Sequence, residues 1–321
     1  MRWLSACLAL SAGLAGCAAP QAGALLASRA AVVPATSGSP ATTLPARDDR
    51  LVHRVPFFAQ SDYQCGPAAL AMAAVDAGVP TTPQALVPLV WLPERNGALQ
   101  AEMLAGARRL GLAPTLIGPR LADVLAEIAA GHPVVVLQNL SLAAAPIWHY
   151  AVAVGYDLDR ETITLHSGLT PALEMSLHAF ERTWMRGDGW AFVALPPSRL
   201  PATAREDAFV AAVAGLERTQ PSAAAAGYEA ALRKWPDSRI ALLGVGNVSY
   251  AKGDRTAAAA AWSRAVEQDA RFADAWNNLA HVLGELGRHD EALAAADRAV
   301  AIGGPRAADY AKTRDGLMQR R

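Results

Sequence analysis

Small residues recur every 34 positions through the C-terminal third of this 321-residue chain. Gly253 and Gly287 form one such pair, and Ala231, Ala265 and Ala299 continue the same step. A fixed period of this length is typical of repeat proteins, in which each unit buries its apolar face only against its neighbours. The period therefore predicts an all-α solenoid of about three units over residues 205–321.

The best copy of the unit, ADAWNNLAHVLGELGRHDEALAAADRAVAIGGP, resembles the tetratricopeptide repeat. Trp276, Leu279, Gly287, Ala292 and Ala299 stand at that family's positions. The resemblance implies two antiparallel helices per unit and a protein partner bound through the repeats. A plain helical bundle is the alternative interpretation.

The N-terminus, MRWLSACLALSAGLAGCAAP, has a short basic region followed by an apolar run too short to span a bilayer. Its sequence Leu14-Ala15-Gly16-Cys17 resembles the bacterial lipobox. The resemblance implies a signal peptide over residues 1–16, cut before Cys17, which is then acylated and inserts in the lipid bilayer. A secretory signal with a chance cysteine is the alternative.

No aspartate follows Cys17 that would resemble an inner-membrane retention signal, so we expect an outer-membrane anchor facing the periplasm. Residues 17–50 are rich in Ala, Ser, Thr and Pro and predict a flexible linker after the lipidated cysteine. The stretch PPSRLPATARED marks the next boundary, which gives a first domain over residues 51–197. The charge is balanced, with 29 basic and 29 acidic residues, and predicts no nucleic-acid partner.

Cys65 is the one cysteine outside the first 17 residues, so it would be a lone thiol in an oxidising compartment. It cannot form a disulfide within the mature chain. No Cys-x-x-Cys motif or spaced histidine pair accompanies it, so the sequence predicts no metal and no cofactor. A buried, inert cysteine and a nucleophile are the two remaining interpretations.

The sequence CGPAALAMAAVDAG predicts a helix that begins at Cys65 and stops at Gly78. Free backbone N–H groups and the macrodipole at a helix N-terminus favour a thiolate, so we expect a lowered pKa for Cys65. The same N–H groups could stabilise an oxyanion. This setting favours the nucleophile.

A thiol nucleophile needs a base, and His149 has the best setting among the seven histidines. It opens the apolar run HYAVAVGYD, which predicts a buried strand, and the preceding segment GHPVVVLQNL predicts a neighbouring strand. The segment ETITLH follows a DLDR turn and predicts the second strand of a hairpin. A strand end would hold the imidazole rigidly at a cleft, although a structural histidine is the plainer alternative.

Together, QSDYQCGPAALAMA, GHPVVVLQ and HYAVAVGYD resemble the C39-type cysteine peptidases, over roughly residues 52–196. The resemblance implies an α+β papain-like fold, with Cys65 as nucleophile, His149 as general base and acid, and Gln60 in the oxyanion hole. That family usually has an aspartate on the strand after the histidine strand. Here Ser167 stands near that position as a possible orienter, and Asp157 in the hairpin turn is an alternative orienter.

The sequence favours a membrane-anchored cysteine hydrolase that cleaves peptide or amide bonds in a peptide or protein substrate. The alternative is a catalytically impaired peptidase-like lipoprotein that binds peptides and acts as a scaffold, which the missing aspartate favours. Acyl transfer is a third possibility, because papain-like sites run both reactions with the same nucleophile.

Overall fold

The computed structural model describes residues 20–30, 49–51, 55–60 and 63–319. A mixed α/β domain is followed by an array of helices. The strands, in chain order, are β1 Asp49–Leu51, β2 Ala113–Leu116, β3 Val134–Asn139, β4 Trp148–Asp157, β5 Thr162–Ser167, β6 Thr170–Ser176 and β7 Ala191–Leu195. The helices of the first domain are α1 Pro20–Ala30, α2 Cys65–Asp76, α3 Pro83–Val90, α4 Gln100–Arg109, α5 Leu121–Ala129 and α6 Leu177–Met185.

The strands form one antiparallel sheet in the order β2-β7-β3-β4-β5-β6, with β1 also paired to β4. The predicted neighbours β3 and β4 do pair, and β4 and β5 do form a hairpin. In this register the loops 140–147, 168–169 and 187–190 all lie at one end of the sheet, which we call the cleft end. The β4–β5 turn lies at the opposite end.

Helix α2 is the central helix of the domain and packs against β4 and α3. Its alanines and Leu70 are almost all buried, because small side chains allow the helix to lie close to the sheet. The helix has the predicted bounds: it begins at Cys65, and Gly78, just after its end, has a φ of +89° that favours glycine. The strong local signals at both ends explain why this prediction succeeded.

The prediction of a flexible linker is wrong for residues 20–30, which form α1 and dock on the first domain. The buried carboxylate of Glu181 accepts hydrogen bonds from the backbone N–H groups of Gln21, at 3.0 Å, and Ala22, at 2.7 Å. Ala22 and Leu25 enter the hydrophobic core. A carboxylate at a helix N-terminus pairs with free N–H groups and with the macrodipole, so α1 has a built docking site.

The strand β1 also lies within residues 17–50 in part, since it begins at Asp49 and pairs with β4. The first domain therefore starts slightly before the predicted residue 51. The signal peptide, Cys17 and residues 31–48 lie outside the described residues.

The second part of the chain consists of three helix pairs and a final helix, which agrees with the predicted units. They are α7 Glu206–Ala214, α8 Pro221–Lys234, α9 Arg239–Ala251, α10 Arg255–Gln268, α11 Ala273–Glu285, α12 His289–Ile302 and α13 Ala307–Gln319. The recurring Ala231, Ala265 and Ala299 are fully buried between helices. Gly253 and Gly287 follow α9 and α11 with φ of +85° and +74°, so the period reflects a left-handed residue that turns the chain within each pair.

The junction between the two parts is ordered. The carboxylate of Glu127, fully buried at the end of α5, accepts hydrogen bonds from Ala202 N, Thr203 N and Thr203 Oγ1, at 3.1, 2.7 and 2.6 Å. His132 Nδ1 lies 2.7 Å from the same carboxylate. These contacts lower the pKa of Glu127, although burial acts in the opposite direction.

Helix α7 then packs on the edge strand β2, with Ala113 in the same apolar cluster as Phe209 and Val213. The predicted boundary at residues 198–204 is therefore a fixed connection. None of the described helices is long and apolar enough to cross a bilayer.

Candidate active site

A cleft of about 990 Å³ opens beside Cys65 at the cleft end of the sheet. Cys65 is half-buried at the first position of α2, where Gln64 makes no side-chain cap to the helix. One wall is the segment 95–101, and the other comprises residues 146–148 and the 187–188 turn. The only cysteine among the described residues thus faces this cleft.

The electrostatics of the thiol differ from the expectation of a lowered pKa. Burial raises the pKa of Cys65, and this outweighs the lowering by the backbone N–H groups of Tyr150, Gly66 and Cys65 itself. The sequence located the helix N-terminus correctly but gave no measure of desolvation, which disfavours the charged form. The Tyr150 contact nevertheless places the sulfur beside the start of β4.

His149 lies next to Tyr150, near the start of β4, and is half-buried. Its Nε2 is 2.9 Å from Ser167 Oγ on the neighbouring strand β5. Burial lowers the pKa of His149, so its neutral form is favoured near pH 7. Among the described residues no hydrogen bond joins Cys65 and His149, and His149 Nδ1 makes none.

A serine orients the ring differently from an aspartate. An ionised carboxylate only accepts hydrogen bonds, so it would force the proton onto Nε2 and leave Nδ1 free as a base. The hydroxyl of Ser167 can donate or accept, so it holds the ring in place without fixing the tautomer. The role of Ser167 as orienter stays a prediction, but its position beside the imidazole is observed.

Asp157, the alternative orienter, and His166, the neighbour of Ser167, both have structural contacts. His166 donates from Nε2 to Val55 O at 3.2 Å and accepts at Nδ1 from Ala172 N at 3.2 Å, so both ring nitrogens are used. Asp157 Oδ1 accepts from the N–H groups of Asp159 and Arg160, each at 2.9 Å, in the β4–β5 turn. Eight residues of strand, about 26 Å, separate Asp157 from His149. The structure therefore does not bring the alternative orienter to the imidazole.

Gln60 is held beside the β5–β6 turn by a hydrogen bond from its backbone N–H to Gly168 O, 3.2 Å long. Its Nε2 is enclosed and has no hydrogen-bond partner among the described residues. An enclosed donor without a partner costs about 1–3 kcal/mol, so proteins seldom keep one without a reason. The structure places Gln60 near Ser167, and its oxyanion role stays a prediction.

Sequence reasoning missed the apolar walls of the cleft, which include Tyr63, Leu99, Ile147 and Trp148. All four side chains are exposed, and Tyr63 has a φ of +59°, which is uncommon outside glycine. Tyr63 stands two positions before Cys65, and Trp148 stands directly before His149. Their closeness in sequence to the two reacting residues could have indicated that they line the cleft. Leu99 gave no such signal, because α4 approaches the site through tertiary packing.

Tyr150 is buried behind the thiol, and burial, then the nearby Cys65 and Glu102, raise the pKa of its hydroxyl. The Glu102 Oε2 atom is enclosed, again without a hydrogen-bond partner in the described part of the chain. Within that part, no group of three or more His, Cys, Asp or Glu side chains could hold a metal ion.

Residues 52–186 match the model of the Peptidase_C39 like family. The chain carries a C39-like peptidase domain. Tetratricopeptide-repeat models match residues 209–254 and 246–287, so the predicted fold class is confirmed for both parts. The matched segment contains every cleft residue described above except Gly187 and Asp188, which follow it directly.

Among solved structures, a C39-like peptidase from Bacillus anthracis is 16% identical, with a TM-score of 0.39, covering 46% of this chain and 98% of its own. The MamA protein is 20% identical, with a TM-score of 0.27, covering 36% of this chain and 78% of its own. No curated protein matches the chain.

Proposed function

We propose that the protein is a lipid-anchored cysteine hydrolase that cleaves peptide or amide bonds, with repeats that bind the substrate or a partner protein. The observation that carries this proposal is the arrangement at the cleft. Cys65 lies at a helix N-terminus against the start of the strand that bears His149, and His149 is hydrogen-bonded to Ser167. The family match over residues 52–186 supports the same chemistry.

In the proposed reaction the Cys65 sulfur attacks the substrate carbonyl carbon while the thiol proton passes to His149 Nδ1. The carbonyl oxygen becomes an oxyanion, which accepts hydrogen bonds from Gln60 Nε2 and from a backbone N–H at the start of α2. The C–N bond breaks as His149 returns the proton to the leaving amine. Water, deprotonated by His149, then hydrolyses the thioester and frees the thiol.

Both reacting groups are neutral at rest in this proposal, because burial raises the pKa of Cys65 and lowers that of His149. Proton transfer must therefore accompany attack instead of preceding it. Such a site reacts slowly with simple alkylating agents and depends on substrate binding to bring the two groups together.

The anchoring part of the proposal rests on the sequence Leu14-Ala15-Gly16-Cys17, with Cys17 acylated and the protein held at the outer membrane facing the periplasm. Fractionation of cells that produce the full chain tests it. The wild type should sediment with membranes and gain the mass of its acyl chains, whereas Cys17→Ser should not.

A peptide-binding scaffold is the second candidate, and the same shifts favour it. A raised thiol pKa, a lowered imidazole pKa and the lack of a carboxylate at Ser167 are what a site that has lost catalysis would show. The open cleft and its apolar walls would still bind a peptide.

A p-nitrophenyl ester of N-acetyl-leucine separates the two candidates. A hydrolase should form a thioester at Cys65, seen as an added acyl mass, and release p-nitrophenolate with turnover. Cys65→Ser should form no thioester. If the wild type acylates no faster than His149→Ala, the hydrolase proposal is overturned and the scaffold is supported.

A further inference from the structure

Several exposed apolar side chains lie at the cleft end of the first domain. Of the thirteen large hydrophobic side chains that are exposed in the described chain, ten belong to the C39-like domain and three to the repeats. We use the name apolar rim for six of them: Tyr63, Leu99, Ile147 and Trp148 line the cleft, and Leu142 and Leu169 belong to loops at the same end of the sheet.

The residues of the apolar rim come from separate segments of the chain that meet at the cleft end of the first domain. Leu142 and Ile147 belong to the β3–β4 loop, and Leu169 belongs to the β5–β6 turn, both at the cleft end of the sheet. Leu142 is 69% exposed and Leu169 is 75% exposed, although exposure of an apolar side chain to water is unfavourable in free energy. Exposed apolar side chains gathered at one end of a domain can mark a site that contacts a protein or a membrane.

The N-terminus of α1 lies at this same end of the sheet. Gln21 Nε2 donates to Pro119 O at 3.1 Å, in the segment that follows β2, and also contacts Met185 Sδ at 3.6 Å. Leu121 N donates back to Gln21 Oε1 at 2.8 Å. Together with Glu181, these contacts fix where the chain enters α1.

A short path connects this entry point with the apolar rim. Arg186, the residue after Met185, donates from its guanidinium to Ser141 O at 2.8 Å in the β3–β4 loop. That loop carries Leu142 and Ile147. The docked helix, the residues after α6 and the loop of the rim are therefore joined by direct hydrogen bonds and contacts.

Cys17 stands three residues before Pro20, the first residue of α1. Three extended residues span at most about 11 Å. A lipid on Cys17 would therefore hold the bilayer surface close to the cleft end, whereas a linker running to residue 50 would have allowed any orientation.

We propose that the apolar rim contacts the lipid bilayer, held there by the acylated Cys17 through α1, so that the cleft opens at the membrane surface. This inference rests on the anchoring part of the proposed function. It assigns the substrate to polypeptides at that surface, which would reach Cys65 between membrane-bound apolar side chains. The docked helix and the uncovered leucines are independent observations that point to the same end of the sheet.

The test uses the full chain, acylated in bacteria and reconstituted in vesicles of phosphatidylethanolamine and phosphatidylglycerol. In a Cys65→Ser background, Leu142→Cys supplies one free thiol for the polarity-sensitive dye NBD. Arg160→Cys is the matched control, because it is exposed in the same domain at the opposite end of β4. Intact mass reports acylation, and circular dichroism reports folding, in each sample.

The dye at position 142 should show a shift of emission to shorter wavelength and lose most of its intensity with doxyl-labelled lipids. The dye at position 160 should keep the emission that it has in water. Acylated, vesicle-bound protein with equal, water-like emission at both positions would overturn the contact but leave the anchor intact. Absence of acyl mass would overturn both, and strong quenching at position 160 alone would reverse the proposed orientation.

Discussion

The buried carboxylates that hold α1 and the junction have hydrogen-bond partners, whereas two enclosed polar atoms near the cleft have none within the described part of the chain. Glu127 and Glu181 are almost fully buried, and each accepts backbone N–H groups from a distant segment. Around Cys65, by contrast, Gln60 Nε2 and Glu102 Oε2 are enclosed without partners among the described residues. The two buried carboxylates that join distant segments thus have partners, whereas these two polar atoms of the first domain have none among those residues.

The comparison predicts that substitutions at the cleft change the reactivity of Cys65 without loss of stability. Substitutions of Glu127 or Glu181 should lower the stability and leave the reactivity of Cys65 unchanged. The largest effect should come from His149→Ala. Removing the general base should slow acylation of Cys65 by the nitrophenyl ester about 100- to 10,000-fold. Stopped-flow absorbance measures the rate, and an unchanged midpoint in urea unfolding is the control. An unchanged acylation rate would show that His149 has no part in the chemistry.

Gln60→Leu should slow acylation by the ester about 100- to 1,000-fold, because an oxyanion donor is lost. Alkylation of Cys65 by iodoacetamide forms no oxyanion, so its rate should not change. Since an enclosed donor without a partner is removed, the free energy of unfolding should stay the same or rise by about 1 kcal/mol. A parallel loss in both reactions would instead indicate a general distortion of the cleft.

Glu127→Gln should lower the free energy of unfolding by about 3 kcal/mol. The NH2 group of glutamine would face donors whose hydrogen bonds the carboxylate accepts. The reactivity of Cys65 should remain. The folded-state pKa of Glu127 is lowered, so its contribution is present above the unfolded value of about 4.3 and is lost as the pH falls through the folded value. Urea unfolding at several pH values should therefore show the difference from the wild type shrinking below about pH 5. A difference that is constant down to pH 3 would contradict this account.

Ser167→Asp should give the smallest effect, an increase of about tenfold in alkylation of Cys65 at neutral pH. A carboxylate beside Nε2 raises the pKa of His149 and stabilises the thiolate–imidazolium pair. Ser167→Ala should slow the same reaction, and His166→Asp should bring no gain, because the His166 ring nitrogens bind Val55 and Ala172. Equal rates for all three would mean that the imidazole is oriented by another group.

The parts of the fold that sequence predicted well have local causes. The helix from Cys65, the strand from His149 and the 34-residue period each depend on residues close together in the chain, such as Pro67 and Gly78 at the helix ends. His149 was chosen as the partner of Cys65 from its setting at a strand end, and the family resemblance supported that choice across 84 residues of chain.

Helix α1 was missed because its stability comes from a docking partner about 160 residues away. Ala22, Leu25 and Leu26 do show the spacing of a helical face, and Pro20 is suited to a first turn, so a weak signal existed. The pKa of Cys65 was misjudged for a related reason. Desolvation depends on the whole surrounding fold, whereas the helix terminus is visible in the sequence.

The Glu127 junction also has a thermodynamic consequence for whatever binds the repeats. A flexible hinge between recognition and cleavage would have to be immobilised each time a substrate engaged both parts, and that lost freedom would weaken binding. Here the connection is already immobilised by hydrogen bonds to Ala202 and Thr203 and by α7 on β2. If the repeats bind the substrate polypeptide, as proposed, this fixed connection would present that polypeptide to the cleft at a high effective concentration.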